Sequence, residues 1–400
     1  MAKLVDLARM TTATTGTGTI TLGSAVSGYR TFAGSGVNDG DIVAYGIIDG
    51  ANSEAGTGTY TASGTTLTRN VRQSTNSNTA ISLSGNAQVF ITACAEDLIA
   101  APLNPGGRLT LTSSVPVMIA TVASPTTLYY TPYKGSYVPL WDGKTWNHYQ
   151  FSELSQLFTD TTKSPAAVAA SKNYDVFVWN DAGTLRCTRG PAWTSDTARG
   201  YSLTLQDGMY LNAGNITNGP AANRGLLVGT VRSDSGSKVV WNTGGNATAG
   251  ALGVWNMFNR VIATAGVVDN GVTYNYTTAN VIRQWRASSN YQVNFILGAS
   301  EDSYSVFAQV TVGLATVPGG TGVTIFIGLN STSVASSRGS AVAGQYTSGN
   351  APVQSTMLVA GGMPVAIGWN FIAALERNST TDANTYNYGQ DNALSVAIPM

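Results

Sequence analysis

Residues 174–188 read YDVFVWNDAGTLRCT, and this stretch indicates the kind of fold that the chain adopts. Aromatic and β-branched residues run as far as Trp179, a turn-forming sequence occupies residues 180–183, and a second strand-like run continues through Cys187. Aromatic and β-branched side chains suit a pleated, half-buried surface, and an Asn/Asp/Gly cluster between two such runs favours a tight turn. The stretch therefore predicts a β-hairpin.

The scarcity of charge extends this prediction to the whole chain. Only 10% of the 400 residues are charged, against about 25% in an average soluble domain. Gly, Thr, Ser, Asn and Ala take their place, and helices usually draw solubility and surface pairing from the charged residues that are missing here. We therefore expect an all-β protein built from tandem β-sandwich-like domains with a few short helices.

The length and the placement of Gly and Pro predict three domains. A single hydrophobic core stops growing at about 250–300 residues. Residues 100–107 carry two prolines and two glycines, and Gly244-Gly245 interrupts the pattern again. We predict an N-terminal β-sandwich over residues 1–100, a middle β domain with short helices over 101–250, and a C-terminal β-sandwich-like domain over 251–400.

Local signals predict turns and helices at particular places. Asp49-Gly50, Asp142-Gly143 and residues 180–183 and 269–271 are hairpin turns by composition, and Gly64 is expected to supply a positive φ in a further hairpin. Three segments favour short helices: the first begins with a good N-cap, the second carries Pro in its first turn, and the third lies late in the chain. These segments are residues 152–158, 164–170 and 370–377.

Composition also argues against several classes of function. The net charge is zero, from 21 basic and 21 acidic residues, so no basic field is available to neutralise phosphates and we expect no nucleic-acid partner. No stretch approaches the roughly 20 apolar residues that span a membrane, so no membrane insertion is expected. The first residues lack the apolar run of a secretory signal. A surface of extracellular character without such a signal favours a virion protein that is assembled in the host cytoplasm.

Few residues offer catalytic or metal-binding chemistry. His148 is the single histidine, so a Ser–His–Asp site would need it as the base, and a packing role is favoured instead. Cys94 and Cys187 are read as small buried hydrophobes rather than ligands or a disulfide. Residues 38–41 are read as a turn rather than a cation site, and the Glu301-Asp302 pair as solvated strand-end residues. We expect no enzymatic activity, no metal and no cofactor.

After the catalytic and metal-binding candidates, the aromatic residues are the most informative about binding. Seven Tyr and Trp side chains crowd residues 129–149, and a second set lies near the C-terminus. Tyr and Trp serve core packing, subunit interfaces and ligand contacts alike, so both an interface and a glycan site stay open. The candidate receptor or interface residues are Tyr133, Tyr137, Trp141, Trp146, Tyr386 and Tyr388.

Two parts of the chain resemble modules of structural proteins of tailed bacteriophages. The N-terminal likeness is carried by residues 11–22, 28–32, 40–50 and 56–69, and a second phage module by residues 107–118, 128–133, 138–143, 151–154, 177–193, 223–225 and 255–260. The resemblance implies a fibre or spike, most simply a homotrimeric tail fibre with an N-terminal domain docked on other virion proteins. Its distal C-terminal domain would then contact host surface glycan.

Other positions on the particle stay open. A head fibre, a collar protein or a capsid-decoration protein would carry the same kind of module without binding a receptor. A tailspike that depolymerises polysaccharide is a weaker alternative, because the resemblance brings no catalytic residues with it. Homotrimerisation is implied by the likeness and is also favoured because a charge-poor monomer has surface to hide.

Overall fold

The computed structural model describes residues 2–94, 104–269, 274–300, 304–314, 323–336, 353–363, 366–378, 384–386 and 392–400. Its contacts divide the chain into two compact units, Met1–Leu103 and Asn104–Met400. The first division lies beside the Pro/Gly-rich segment from which a boundary was predicted. No division falls near residue 250, because one cluster of buried side chains includes residues from Leu109 through to Met400.

Unit 1 is a β structure with one principal sheet. Its described residues, 2–94, form nine strands: β1 (Arg9–Thr12), β2 (Thr15–Gly16), β3 (Ile20–Thr21), β4 (Ile42–Asp49), β5 (Asn52–Thr61), β6 (Thr66–Leu67), β7 (Asn70–Ser74), β8 (Leu83–Ser84) and β9 (Ala87–Ile91). Seven of them form one sheet in the order β1-β9-β4-β5-β6-β3, with β7 also paired to β5, while β2 pairs with β8. Phe32, Tyr45 and Tyr60 are among the buried residues of its core.

The sequence Gly-Thr-Gly-Thr occurs at residues 16–19 and 56–59, and the two copies have different surroundings. Gly58 is buried, and a Cβ at that position would collide with the Thr68 carbonyl oxygen and lie 2.9 Å from Leu67 Cδ1. Gly56 faces the Asn70 carbonyl oxygen in the same way. At Gly18 a Cβ would meet nothing within 4 Å. The second copy therefore permits close backbone approach, and the first does not require it.

Gly58→Ala is expected to destabilise unit 1 by about 1–3 kcal/mol, the usual cost of forcing a methyl group into a packed site. Gly18→Ala is the matched control, because the added methyl group would point into open space. Urea unfolding followed by circular dichroism measures both changes. Equal stabilities for the two variants would contradict this account of the motif.

Unit 2 contains the remaining strands. They are β10 (Gly107–Thr110), β11 (Thr127–Pro132), β12 (Tyr137–Trp141), β13 (Trp146–Gln150), β14 (Leu154–Leu157), β15 (Asn173–Asp181), β16 (Thr184–Ala192), β17 (Leu203–Gln206), β18 (Met209–Asn212), β19 (Leu226–Arg232), β20 (Trp241–Asn242), β21 (Gly244–Asn246), β22 (Gly250–Leu252), β23 (Val254–Asn256), β24 (Ile262–Asp269), β25 (Tyr274–Tyr276), β26 (Ile282–Gln284), β27 (Gln292–Leu297), β28 (Tyr304–Leu314), β29 (Val323–Leu329), β30 (Val353–Met363), β31 (Gly368–Asn378), β32 (Asn384–Tyr386) and β33 (Asn392–Pro399).

Three larger sheets organise these strands. The first has the order β16-β15-β19-β18-β17, with β23 paired to β19. The second has the order β20-β22-β27-β31-β26 with β29 on β31, and the third β21-β24-β33-β28-β32-β25 with β30 on β28. Strands β10, β11 and β14 form a small sheet, and β12 and β13 form a separate ribbon. Because β23 lies in the first sheet and β22 in the second, the chain around residue 250 links the two sheets rather than separating two domains.

The all-β prediction is confirmed. Within the described residues the helical elements are three 3₁₀ turns of three residues each, Ala33–Ser35, Ala62–Gly64 and Trp285–Ala287. None of the helices in that part of the chain is long and apolar enough to cross a membrane.

The three predicted helices are wrong, and tertiary contacts explain why. Residues 154–157 form strand β14, which pairs with β11, and residues 370–377 lie inside β31, paired with neighbours on both sides. In β31, burial on both faces of the strand produces a continuous apolar run, which short sequence windows do not separate from a helix. Strand β14 is only partly buried, and its pairing with β11 holds it extended.

The segment around residues 157–166 is an irregular loop held by the buried side chain of Arg189. Its guanidinium donates to the carbonyl oxygens of Leu157, Phe158, Asp160 and Ala166 at 2.9–3.4 Å. Ser164, the expected N-cap, donates its hydroxyl to the Arg189 carbonyl instead. Carbonyls that a helix would use are therefore bound by a side chain from β16.

The predicted hairpin turns are confirmed where the structure describes them. Asp49 pairs with Asn52 around Gly50, and Asp181 pairs with Thr184 around Ala182 and Gly183, with positive φ at all three turn residues. The hairpin at residues 62–64 forms, but its positive φ belongs to Thr65 at 46° and not to Gly64. The turn predicted at residues 269–271 lies largely outside the described residues.

Candidate functional site: an aromatic cleft on unit 2

The ribbon of β12 and β13 carries the aromatic residues that sequence analysis singled out. Trp141 pairs with Trp146 across a turn formed by residues 142–145. Asp142 closes this turn, since its carboxylate accepts hydrogen bonds from the backbone N–H groups of Lys144 and Thr145, both at 2.8 Å. Burial works against the charged carboxylate, but the hydrogen bonds prevail and hold the pKa of Asp142 below its ordinary value.

The two tryptophans at the ribbon's tip contact each other. Their ring centroids are 5.6 Å apart with the rings tilted by 54°, and both side chains are half-buried. The Trp146 indole N–H donates to an oxygen of Asp207 at 3.0 Å. The two rings form one aromatic surface at the tip of the ribbon, and the hydrogen bond to Asp207 anchors one of the indoles.

A cavity of about 350 Å³ opens beside this surface. Three chain segments line it: the β12–β13 ribbon, the turn between β15 and β16, and the loop that precedes β19. The lining residues are Leu140, Trp141, Asp142, Tyr149, Asn180, Ala182 and Arg224. Segments far apart in sequence thus meet around one concave space, which is the usual setting of a small-ligand site.

Arg224 is the distinctive polar residue of the cleft. Its guanidinium packs against Gly143, where an added Cβ would lie 2.7 Å from the Arg224 Cζ atom. Within the described residues, the buried Nη1 atom has no hydrogen-bond acceptor. A buried donor left without an acceptor costs about 1–3 kcal/mol. Arg224 therefore places on the wall of the cleft a guanidinium whose hydrogen-bonding capacity is not fully used within the described residues.

The predicted aromatic residues are only partly brought together. Trp141 lines the cleft, and the tilted ring of Trp146 contacts the Trp141 ring. Tyr137 lies on the same ribbon and is 41% exposed. Tyr133 is not part of the cleft; its ring lies near the Lys134 ammonium and the Arg108 guanidinium, at 4.9 and 5.6 Å.

The C-terminal pair of candidate aromatics is described only in part. The backbone of Tyr386 pairs with Tyr274 between β32 and β25, while its side chain and the whole of Tyr388 lie outside the described residues.

Sequence reasoning missed Arg224 and Asn180 as site residues. Arg224 belongs to the segment 223–225 that was noted only for its family likeness, and Asn180 was recognised only as a turn residue. Neither position has a spacing pattern that would place it beside Trp141, because the three segments meet only after the sheets pack.

The other candidate residues behave as ordinary structural groups. His148 is half-buried opposite Pro139 in the ribbon, and burial lowers its pKa. Both cysteines are buried, as predicted, and burial raises the pKa of the Cys187 thiol to about 12. The fully protonated thiol that results is a poor nucleophile.

Of the acidic candidates, one group forms a structural turn and the other lies outside the described residues. Residues 38–41 form the predicted turn, in which Asp41 accepts a hydrogen bond from the Asn38 N–H and pairs with Lys3 at 2.7 Å. Glu301 and Asp302 lie outside the described residues. In the part of the chain that is described, no group of three or more His, Cys, Asp or Glu side chains is placed to hold a metal ion.

Comparison with known proteins assigns no family. No protein-family model matches the chain, and no curated protein matches it. Among solved structures, one similar chain comes from the structure of infectious bursal disease virus Gx strain, with 11% identity, coverage of 100% of this chain and 82% of that chain, and a TM-score of 0.17. A TM-score of that size supports no conclusion about fold or function.

Proposed function

We propose that this chain is a non-enzymatic structural protein of a bacteriophage particle, a homotrimeric tail fibre that attaches the particle to the host cell surface. The likeness of its sequence to phage fibre modules supports this proposal. So does a composition in which hydroxyl and carboxamide groups replace charges on an all-β framework.

The observation that carries the proposal is the exposure of large apolar side chains on a chain with few charges. Ile119 is 89% exposed, Ile262 is 72% exposed and Leu7 is 60% exposed. Single exposed apolar residues are normal. Here, however, only 10% of the residues are charged, so little electrostatic repulsion keeps two copies of the chain apart. Association into a particle-bound oligomer would cover these side chains.

The aromatic cleft supplies a contact of the kind that attachment needs. Trp and Tyr rings offer an apolar face together with a polar edge, which suits a sugar ring. One such contact is weak, but a trimer presents three and a particle presents many. Multivalent binding can exceed the affinity of the single site by about 10²–10⁴-fold without any new contact.

The expected oligomer is a trimer of the 41.5 kDa chain, measurable as a threefold mass by analytical ultracentrifugation. Antibodies against the chain should label the tail of intact particles in electron micrographs, and the purified trimer should compete with the particles for adsorption to host cells. A stable monomer would contradict the homotrimer. Labelling of the head or collar, with no competition, would favour a decoration protein instead.

A further inference from the structure

We propose that the cleft between the β12–β13 ribbon and the β15–β16 turn binds an acidic sugar residue, with Arg224 holding its carboxylate and Trp141 contacting its ring. This inference deepens the proposed function, on which it rests, by naming the chemical class of the ligand. It starts from the cation in the cleft and the groups that surround it.

The carboxylates near the cleft already have partners. Asp142 is bound within its own turn, and Asp207 accepts hydrogen bonds from Trp146 and Gln206. Asp181 pairs with Lys163 at 2.6 Å and with Arg186 at 3.3 Å. In contrast, the Arg224 guanidinium has no carboxylate partner among the described residues. A bound anion would supply it.

The position of Arg224 is set by the backbone rather than by another charge. Gly143 has φ of 96° and no Cβ, so the guanidinium can lie against the turn. A guanidinium held in place loses less entropy when it binds, and its planar N–H groups match the two oxygens of a carboxylate. A single cation also matches the single charge of a carboxylate better than the double charge of a phosphate monoester.

The rest of the cleft suits a sugar ring. Trp141 and Tyr149 are half-buried and provide aromatic surface. Asn180 uses its side-chain oxygen to accept from the Gly183 N–H at 2.6 Å, which leaves its amide nitrogen as the group available to a ligand hydroxyl. The volume of about 350 Å³ lies at the lower end for small-molecule pockets, so it suits a terminal sugar residue rather than a long chain segment.

The test titrates the purified full-length protein with glucuronate, glucose and inorganic phosphate, followed by saturation-transfer NMR and tryptophan fluorescence. Glucuronate should bind with a Kd on the order of millimolar. Glucose should bind at least about tenfold more weakly, because it cannot use the charged hydrogen bonds of Arg224. Phosphate should not displace glucuronate at equal concentration.

Two arginine variants separate the cleft from general charge effects. Arg224→Gln should weaken glucuronate binding about tenfold or more while leaving the weak glucose signal unchanged. Arg186→Gln is the matched control, because this arginine lies on the β15–β16 hairpin, whose turn lines the cleft, and already pairs with Asp181. Thermal unfolding of each variant checks that the fold is retained, and Arg224→Lys should restore part of the binding.

The outcomes separate this inference from the proposed function. Equal binding of glucose and glucuronate, unchanged binding by Arg224→Gln, or displacement by phosphate would each overturn the acidic-sugar site while leaving the fibre proposal standing. Selective glucuronate binding by a protein that is not found on phage tails would support the site and overturn the fibre assignment.

Discussion

Asp175→Ala is expected to lower the unfolding free energy by about 3–5 kcal/mol, the usual cost of breaking a buried ion pair from one side. The Asp175 side chain is fully buried, and its carboxylate accepts from Arg199 Nε at 2.6 Å and from the Thr230 hydroxyl at 2.6 Å. The Trp193 indole N–H and the Tyr201 hydroxyl donate to it at 3.2 and 3.1 Å.

The reason for the large effect is the number of donors that would lose their acceptor. Arg199 is only 14% exposed, so its charge would stay largely out of water without a carboxylate. Burial and the Asp175 carboxylate raise the pKa of Tyr201, so its hydroxyl keeps its proton and remains a donor. Arg199 also donates to the Gly298 carbonyl, so the network ties β15 to the segment after β27.

Asp181→Ala is the matched control on the same strand. Asp181 ends β15, and its partners Lys163 and Arg186 have 38% and 41% of their side chains exposed. Water replaces an exposed ion pair at little cost, so this variant should unfold almost as the wild type does. Urea unfolding followed by tryptophan fluorescence measures both. A loss below about 1 kcal/mol in Asp175→Ala would contradict the role of the network.

Glu54→Ala should have a comparable effect in unit 1, again about 3–5 kcal/mol. The Glu54 side chain is fully buried and that of Arg69 is 2% exposed, and the two form a double hydrogen-bonded ion pair. The Tyr45 hydroxyl and the Ile81 N–H donate to the same carboxylate at 2.7 and 2.9 Å. Hydrogen exchange should show lost protection in β4, β5 and β7, whereas Asp6→Ala, at an exposed position of this unit, should not.

The same pair predicts a pH dependence. Burial disfavours the charged carboxylate, but the hydrogen bonds from Arg69, Tyr45 and Ile81 outweigh it, and the pKa of Glu54 lies below its ordinary value. A carboxyl whose folded pKa is lowered stabilises the fold above its unfolded pKa of about 4.3, and this contribution is lost as pH falls through the folded pKa.

The pH dependence is measured as the difference between the wild type and Glu54→Gln. The destabilisation caused by the substitution should be full at neutral pH and shrink below about pH 4. The wild type must be compared with the variant because burial raises the pKa of Glu376 in unit 2. Glu376 therefore changes the stability with pH in the opposite direction over the same acid range, and the difference between the two proteins removes its contribution. A difference that stays constant down to pH 2 would contradict the assignment to Glu54.

Strands and tight turns could be predicted from local sequence because their causes are local. The hairpin at residues 174–188 forms as its aromatic and β-branched residues indicate. In the β12–β13 ribbon, Asp142 closes the turn by accepting hydrogen bonds from residues two and three positions further along the chain. The cleft could be predicted only in part. Trp141 stood out as an aromatic residue, whereas Arg224 belongs to the site because the loop before β19 packs on the turn at Gly143.

By itself, the sequence determined that the chain would be all-β, since residues poor in charge and rich in Thr, Val and aromatics favour sheets at every point along it. Tertiary structure decided the rest: which segments with helix-like signals became strands, that one cluster of buried side chains extends from Leu109 to Met400, and which residues line the cleft. The physical reason is one of magnitude. Helix propensities differ by tenths of a kcal/mol per residue, whereas strand pairing, the buried Arg189 and the burial of apolar side chains contribute several kcal/mol through partners distant in sequence.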